Sequence, residues 1–415
     1  MYHRSLVLGG LVLVAVLVLI GATYGTFAKP LGRGVVLLGA LAAYLSALAH
    51  HVSLLYGLRS SRERVAYLVT SAFDEAETQI FADFGGRNLE LVGIVTGGGY
   101  QPKDLTRVLG TIDELATLVR RERIDRVLCT HKSLNDPKLT RHFCQLRYSG
   151  ITVMPLIILC EEIEQFVPIE LVSPEWLLNA SGEPHLLYIK KVKRLFDIIA
   201  ASVGLMVGLP IVGLAALAVK LTSPGPVFYR QVRSGRFGRT FHILKLRTMR
   251  VDAEAGGAQW SSKNDPRITL VGRMLRKYRI DEIPQLWQVL CGYMSFVGPR
   301  PERPEIIAKL AAEIPFYEER LMVQPGLTGW AQVSYPYGAS VLDTRRKLEY
   351  DLYYMKHMGL FLDLFILLDT VRTVLCGGAS ASESRKLPQP NAVVEWERLK
   401  AAETTAVSKL ELGAA

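Results

Sequence analysis

Residues 195–221 read LFDIIAASVGLMVGLPIVGLAALAVKL, an apolar run long enough to cross a hydrocarbon core of about 30 Å as a single helix. Two features oppose a crossing. Lys190, Lys191, Lys193 and Arg194 stand before the run, and Lys220, Arg230 and Arg233 lie at or beyond its end, so a spanning helix puts one basic cluster on the outer face against the positive-inside tendency. Pro210 sits near the middle, where it removes a backbone donor and crowds the preceding turn. The arm 195–209 is then only about 22 Å long as a helix, short of the core thickness. A helix that dips into one leaflet, turns at Pro210 and returns to the face it left meets both the charge pattern and the length. A kinked span is the alternative reading.

Working outward toward the N-terminus, residues 65–70, 91–95, 126–130 and 151–156 are short β-rich runs alternating with helical ones, a βαβ rhythm. The first βα turn of such a fold binds dinucleotide phosphates where glycines let the backbone approach them, and here the turn reads Thr70-Ser71-Ala72-Phe73-Asp74. Gly97-Gly98-Gly99 follows the next strand and reads as a flexible loop. A regulatory or oligomerising module is expected. Before it, residues 6–27 and 34–58 are strongly apolar stretches of spanning length and form a hairpin. A signal peptide is the competing reading of the first, but its apolar region is too long and no small-x-small site follows. Arg59, Arg62 and Arg64 outnumber Lys29 and Arg33 of the intervening loop, which places both ends of the hairpin in the cytoplasm.

The whole chain carries 49 Lys and Arg against 39 Asp and Glu, a formal charge of +10. Such an excess points to phosphate-rich partners, and beside these apolar segments anionic lipid and nucleotides fit better than nucleic acid. Cys129, Cys144, Cys160, Cys291 and Cys376 are odd in number and scattered, with no C-x-x-C spacing. Neither a disulfide framework nor a zinc site is expected, and a reducing cytoplasm is the simplest setting.

Beyond the apolar run, residues 266–280 space Ile268, Val271, Met274, Leu275 and Tyr278 on one helical face, with Arg273, Arg276, Lys277 and Arg279 elsewhere, as an interfacial helix requires. Asp281-Glu282-Ile283-Pro284 then opens a second helical run, with Asp281 as N-cap and Pro284 tolerated in the first turn. A carboxylate at a helix N-terminus near Arg276 is kept ionised by dipole and charge, and the same field attracts phosphate. Ionised carboxylates serve as nucleophiles in phosphoryl transfer and hold Mg2+ that bridges a diphosphate. Further on, Pro299 and Pro301 hold Arg300 in restricted backbone, which suits bidentate phosphate contact, although a solvated surface loop is the plainer reading.

Five stretches, FHILKLRTM (241–249), DEIPQLW (281–287), MSFVGPRP (294–301), PGLTGWAQV (325–333) and YDLYY (350–354), resemble in sequence and order the signatures of the bacterial sugar transferases, the monotopic polyprenyl-phosphate phosphoglycosyl transferases. The resemblance covers residues 190–377. It implies a membrane-anchored α/β protein in which a re-entrant helix-break-helix at 188–222 carries a small α/β catalytic domain, residues 223–378, with interfacial amphipathic helices. Two N-terminal transmembrane helices (1–60) and a Rossmann-like module (61–180) precede it, and a flexible tail (379–415), with one short helix at 393–401, follows. Members usually carry Ser-Pro at the break, whereas this chain has Leu209-Pro210.

By position, the resemblance implies that Asp281 is the nucleophile toward a UDP-sugar, giving an aspartyl phosphosugar and UMP, and that undecaprenyl phosphate then takes the sugar phosphate. Glu282 assists, with Asp281, as metal ligand or proton-handling partner. Lys245, Arg247, Arg276 and Arg300 hold phosphates, Asp351 completes the acidic set, and Mg2+ is the cofactor. The implied setting is the cytoplasmic face of a bacterial inner membrane, with a homo-oligomer and downstream glycosyltransferases as partners. Residues 337–340 (YGAS) are similar to members of exopolysaccharide systems associated with exosortase. Two other readings stand beside this one: a nucleotide-sugar oxidoreductase or dehydratase using the Rossmann-like module, against which the glycine-poor turn counts, and a non-enzymatic membrane scaffold of a polysaccharide assembly complex.

Overall fold

The computed structural model describes residues 63–84, 89–97, 99–102, 108–180, 188–253, 265–335 and 340–375. The expected hairpin of residues 1–60, the middle glycine of the 97–99 loop, most of the 337–340 stretch and the tail with its helix at 393–401 lie outside the described residues. The chain divides into two compact units, one formed by residues 1–163 with 386–415 and the other by Glu164–Arg385.

In the first unit, β1 (Glu63–Val69), β2 (Leu89–Thr96), β3 (Val108–Thr111), β4 (Arg126–Cys129) and β5 (Thr152–Pro155) form a parallel sheet in the order β3-β2-β1-β4-β5. Four of these strands stand where the β-rich runs place them. The exception, β3, is a four-residue edge strand of partly exposed side chains, too short and too little apolar to show as a run. The helices α1 (Ala72–Phe84), α2 (Leu115–Arg121), α3 (Pro137–Tyr148) and α4 (Leu156–Ile163) complete the unit. Val65, Ala66, Tyr67, Leu68 and Val69 are all fully buried, as expected of the central strand of a covered parallel sheet. At α3, the Asp136 side chain accepts the Lys138 amide and Pro137 fills the first turn, where its missing N–H costs nothing.

The strand order reverses between β1 and β4, where nucleotide-binding sheets of this type open a crevice at the strand C-termini. Here Asp74 Oδ2 accepts from the Thr70 amide at 2.7 Å and from Thr70 Oγ1 at 2.5 Å, and Thr70 Oγ1 lies 3.3 Å from Ser133 Oγ. The backbone donor that a phosphate-binding turn leaves for its ligand is thus taken by the chain's own carboxylate. Asp74 and Glu75, both on α1, are buried at this turn, so an incoming anion meets acidic side chains.

The second unit starts with the segment from Glu164 and α5 (Pro174–Ala180), then a π-helical turn at Tyr188–Lys193 that leads into α6 (Arg194–Thr222). Among the described residues, α6 with its preceding turn is the one helix long and apolar enough to cross a membrane. It runs as one helix through Pro210, so the interruption expected there is not seen. The reason lies in its packing. Asp197, Ala201, Gly208, Val212, Ala215 and Val219 form a buried stripe that continues on both sides of the proline and fixes both arms to the same domain. The ends are fastened too: Lys193 Nζ bonds Asp363 and the Tyr354 hydroxyl, while Arg247 Nη2 donates to the Ser223 carbonyl at 2.8 Å. The opposite face remains apolar and open, with Met206 78% and Leu214 72% exposed.

On this helix sit the hairpin β6 (Phe228–Ser234) and β7 (Thr240–Leu246), α7 (Leu270–Lys277), α8 (Leu286–Cys291) and the parallel pair β8 (Ser295–Val297) with β9 (Gly326–Thr328). The remaining helices are α9 (Pro304–Glu313), α10 (Trp330–Ser334), α11 (Val341–His357) and α12 (Leu360–Leu375). The amphipathic helix expected over 266–280 is shorter and its apolar residues divide. Leu275 is buried and Val271 packs with it under α6, whereas Leu270, Met274 and Tyr278, four residues apart, point outward at 85%, 55% and 50% exposure.

Tyr67 donates to Glu77 Oε2 at 2.6 Å inside the first unit. Burial pushes the Glu77 carboxyl up to about 8 from its ordinary 4.5, with the Tyr67 hydrogen bond pulling the other way and Asp74 adding to the rise. The folded state therefore holds a proton that the unfolded chain gives up, and stability should be full below about pH 4.5 and decline as pH rises toward 8. Glu77→Gln should remove this slope and be stabilising by on the order of a few kcal/mol at pH 8, read from denaturant unfolding of the first unit's far-UV signal at pH 5 and pH 8.

Candidate active site

Asp281 and Glu282 do not begin a helix. They lie inside a tight 3-10 turn, Ile280–Gln285, that precedes α8, and the residue capping it, Arg279, takes left-handed backbone (φ 55°, ψ 21°). A non-glycine residue in that region is strained, and here it reverses the chain between α7 and the acidic pair. The expected N-cap role of Asp281 is therefore replaced by a position within the turn.

The turn is pressed against the middle of α6. A methyl group added to Gly208 would fall 2.6 Å from Ile283 Cγ2, and one on Gly204 would fall 2.9 Å from Leu286 Cδ1. At Gly208 the missing Cβ lets the β-branched Ile283, and with it the turn carrying Asp281, approach the apolar helix so closely, whereas the Leu286 side chain could turn aside from a methyl on Gly204.

Glu282 is buried and gathers cations. Its Oε1 accepts from Lys245 Nζ and Arg300 Nη2, each at 3.0 Å, and its Oε2 lies 3.5 Å from Arg279 Nη1. Burial alone opposes its charge, but Lys245, Arg300 and Arg279 outweigh that penalty and hold its carboxyl far below the usual carboxylate range. Lys245 comes from β7, and burial lowers its pKa against the pull of Glu282. Asp281 shows the reverse balance. Burial first, then the adjacent Glu282 charge, raise its pKa, although Lys245, Arg276 and Arg279 favour the ion. Its Oδ1 is buried with no hydrogen-bond partner among the described residues.

Arg300 follows β8. The Gly298 amide donates to the Thr328 carbonyl at 2.9 Å and the Gly326 amide to the Pro299 carbonyl at 2.9 Å, so the β8–β9 ladder continues into the Pro-Arg-Pro stretch and fixes it. Its guanidinium reaches Glu282 with one nitrogen and Gln332 Oε1 with the other, at 3.1 Å. Arg276 on α7 donates to Thr248 Oγ1 at 2.8 Å and contributes to the field at Asp281.

Two of the residues picked out in the sequence are placed elsewhere. Arg247 is buried beneath the end of α6, held by the Ser223 carbonyl and by Ser223 Oγ at 3.2 Å, and shows no contact with the acidic pair. Asp351 reaches the cluster through an intermediary: Arg320 Nη2 lies 2.9 Å from Asp351 Oδ2, off line for a hydrogen bond, and donates to the Arg300 carbonyl at 3.1 Å. Burial pushes Asp351 up to about 6 despite Arg320. Arg279, Gln332 and Arg320 were not singled out as site residues in the sequence. Arg279 had a signal, its i, i+3 spacing to Glu282, and Gln332 lies within a quoted stretch, but Arg320 stands in none.

Against this geometry the comparisons with known proteins can be set. The family model for bacterial sugar transferases matches residues 188–377. An exopolysaccharide production protein, PSS, of Rhizobium leguminosarum bv. phaseoli is 38% identical over 193 residues, which cover 45% of this chain and 96% of that protein. The chain belongs to the bacterial sugar transferase family. Another relative, the UDP-N-acetylgalactosamine-undecaprenyl-phosphate N-acetylgalactosaminephosphotransferase of Aeromonas hydrophila, is 46% identical over 186 residues, 45% of this chain and 44% of that protein. The undecaprenyl-phosphate glucose phosphotransferase of Komagataeibacter xylinus is 35% identical over 272 residues, 63% of this chain and 51% of that protein. The chain thus covers about half of the length of these last two relatives or less. The residues matched by the family model hold all of Lys245, Arg276, Asp281, Glu282, Arg300 and Asp351.

The close approach of Ile283 to α6 gives a test. Gly208→Ala should lower catalytic turnover at least about tenfold by displacing the turn, without releasing the protein from membranes. Ile283→Ala in the same chain, which removes the atom the methyl meets, should restore part of the loss, so that the two effects are non-additive in a double-mutant cycle.

Proposed function

We propose that this chain transfers a sugar 1-phosphate from a UDP-sugar to undecaprenyl phosphate, releasing UMP, at the cytoplasmic face of a bacterial inner membrane. The observation that carries the proposal is the pairing of a buried carboxylate with an unpartnered oxygen, Asp281, and a neighbour, Glu282, that marshals Lys245, Arg279 and Arg300 around it. The names of the relatives, which act on UDP-sugars or undecaprenyl phosphate, support the choice of substrates.

In the proposed reaction Asp281 attacks the phosphorus bonded to the sugar. The P–O bond to the nucleotide breaks, UMP leaves with the bridging oxygen, and an aspartyl phosphosugar remains. An oxygen of undecaprenyl phosphate then attacks the same phosphorus and the Asp281 carboxylate is released unchanged. A buried carboxylate without donors is a better nucleophile than a solvated one, and its raised pKa marks the cost of that desolvation. Lys245 and Arg300, held ready by Glu282, take the phosphate oxygens, and Arg276 adds to the positive field.

Mg2+ fits the site in one restricted way. Among the described residues no group of three or more His, Cys, Asp or Glu side chains is placed to hold a metal ion. The unpartnered Asp281 oxygen is the free acceptor, so the ion would be held by Asp281 and the substrate diphosphate, with Glu282 as the adjoining anion, as is usual for Mg2+. Bound there it neutralises diphosphate charge.

The anchor is proposed to be re-entrant, with α6 bending at Pro210 without a break in the helix. Both ends of α6 are fastened to the same domain through Lys193 and Ser223, and its outward face is apolar except for Ser202 and, at the end, Lys220 and Thr222, which suits a helix lying in one leaflet better than one leaving the domain behind. The first unit and the hairpin of residues 1–60 are proposed to serve regulation or assembly, with a homo-oligomer and downstream glycosyltransferases as partners.

Asp281→Asn should cut UMP release from UDP-sugars, assayed with undecaprenyl phosphate, by at least about 10³-fold while the protein stays in the membrane fraction. Residual turnover near the parent level would rule out the nucleophile. Glu282→Gln should lose roughly 10²-fold, because Lys245 and Arg300 lose the charge that orders them. For the anchor, Tyr188→Cys and Phe228→Cys, each in a chain freed of reactive native thiols, should both resist a membrane-impermeant thiol reagent in intact cells and both label once the inner membrane is opened.

A further inference from the structure

The segment that joins the first unit to the membrane helix packs on the catalytic unit, and it does so at the two helices that hold Arg300. Its Gln165 carbonyl accepts from Trp330 Nε1 at 2.8 Å. Trp330 is buried and opens α10, the helix whose Gln332 accepts from the Arg300 guanidinium. A few residues on, the Val167 amide donates to the Glu349 carbonyl at 3.1 Å, the Ile169 amide to Glu349 Oε1 at 3.4 Å, and Arg345 Nη2 to Glu170 Oε1 at 3.0 Å. Phe166 lies against Tyr350 with ring centroids 5.7 Å apart, and Val167 and Ile169 are buried. Arg345, Glu349 and Tyr350 belong to α11, which also carries Asp351, and Asp351 fixes Arg320 on the Arg300 carbonyl.

Arg300 is thus held at its guanidinium through α10 and at its backbone through α11 and Arg320, and one short strap clamps both helices. A linker that merely spans a gap has no reason to bury a charged pair and surrender backbone amides to the domain it precedes; these contacts are those of an integral part. We infer that residues 165–170 are a positioning element for the phosphate-binding Arg300, so that the path from the upstream unit to the membrane anchor sets the geometry of the site. The inference rests on the reading of Arg300 as a residue that binds the UDP-sugar diphosphate.

The experiment uses the full chain in membranes. Glu170→Arg and Arg345→Glu each break the strap's ion pair, and the double variant restores it with the charges exchanged. Each single change should raise KM for the UDP-sugar about tenfold with KM for undecaprenyl phosphate unchanged, and the exchanged pair should return to within about twofold of the parent. In an Arg300→Ala chain the same single changes should cause no further loss. Trp330→Phe, which deletes the N–H to Gln165 but keeps a ring, should shift KM in the same direction without charge reversal and serves where a reversed charge fails to fold. Hydrogen exchange of the resting protein supplies a reading that needs no turnover: Glu170→Arg should speed exchange at the Gly298, Gly326 and Ser234 amides, which bond the Thr328, Pro299 and Glu302 carbonyls, and leave the middle of β6 and β7 unchanged. An unaltered KM and exchange pattern in the single variants, or losses that add fully to Arg300→Ala, would overturn the positioning role. A parent chain that releases no UMP, with the exchange pattern as expected, would instead refute the proposed reaction and leave the strap standing.

Discussion

The structure depends on how an apolar helix of 29 residues is accommodated by a domain dense in charge. Only a narrow stripe of α6 is covered by protein, and small side chains make it so: Ala201, Gly204, Gly208 and Ala215 let strands and turns approach the helix axis closely. The rest of the surface, with Leu195, Leu217 and Leu221 each more than half exposed, is too extensive an apolar patch to face water and calls for lipid. The turn that holds Asp281 is therefore located by the long apolar helix itself, through Gly208 against Ile283. If α6 is the anchor and Asp281 the nucleophile, as proposed, the depth of the one sets the position of the other.

The two acidic residues of that turn are adjacent in sequence and opposite in behaviour. Glu282, buried, keeps its charge because three cations converge on it, whereas Asp281, also buried, has its pKa raised and one oxygen left without a donor. Neighbouring carboxylates whose environments push them apart are the usual mark of divided labour at a catalytic site. With Glu282 fixed as an anion among Lys245, Arg279 and Arg300, the immediate surroundings remain net positive, which favours a diphosphate in the same space.

Much of this was legible in the sequence because it rests on short-range signals. Strands buried on both faces gave continuous apolar runs, and the long apolar helix was plain from its composition. Asp281, Glu282, Lys245 and Arg300 lie within compact motifs, and the structure draws Glu282, Lys245 and Arg300 into one cluster. What escaped depended on tertiary packing. The left-handed turn at Arg279 replaced an expected helix start, since nothing local in Arg-Ile-Asp-Glu requires positive φ. Arg247, two residues from Lys245, looked equivalent to it but departs once the strand ends at Leu246, and is buried beneath α6. Arg320 acts between Asp351 and Arg300 from a stretch without any motif, so only the fold could expose it. The interruption expected at Pro210 was an argument about isolated helices; the packed stripe on both sides of the proline adds a stabilisation that local geometry cannot predict.

Lys245 and Arg300 serve two masters, and this bears on how the site works. In the resting geometry both donate to the same oxygen of Glu282 at 3.0 Å, yet the proposed reaction needs them on phosphate. Exchange of one anionic acceptor for another is far cheaper than creating a contact from solvated groups, because the cations are already stripped of most of their water and need only rotate. Arg300 is the more exposed of the two, at 38% of its side chain against 19% for Lys245. Its backbone is held by Arg320 on its carbonyl, and its guanidinium by Gln332 and Glu282. On the proposed reaction, a pre-formed and charge-satisfied cation lets the site remain ordered without substrate and change acceptor when a diphosphate enters, with Glu282 still paired to Arg279 beside Asp281.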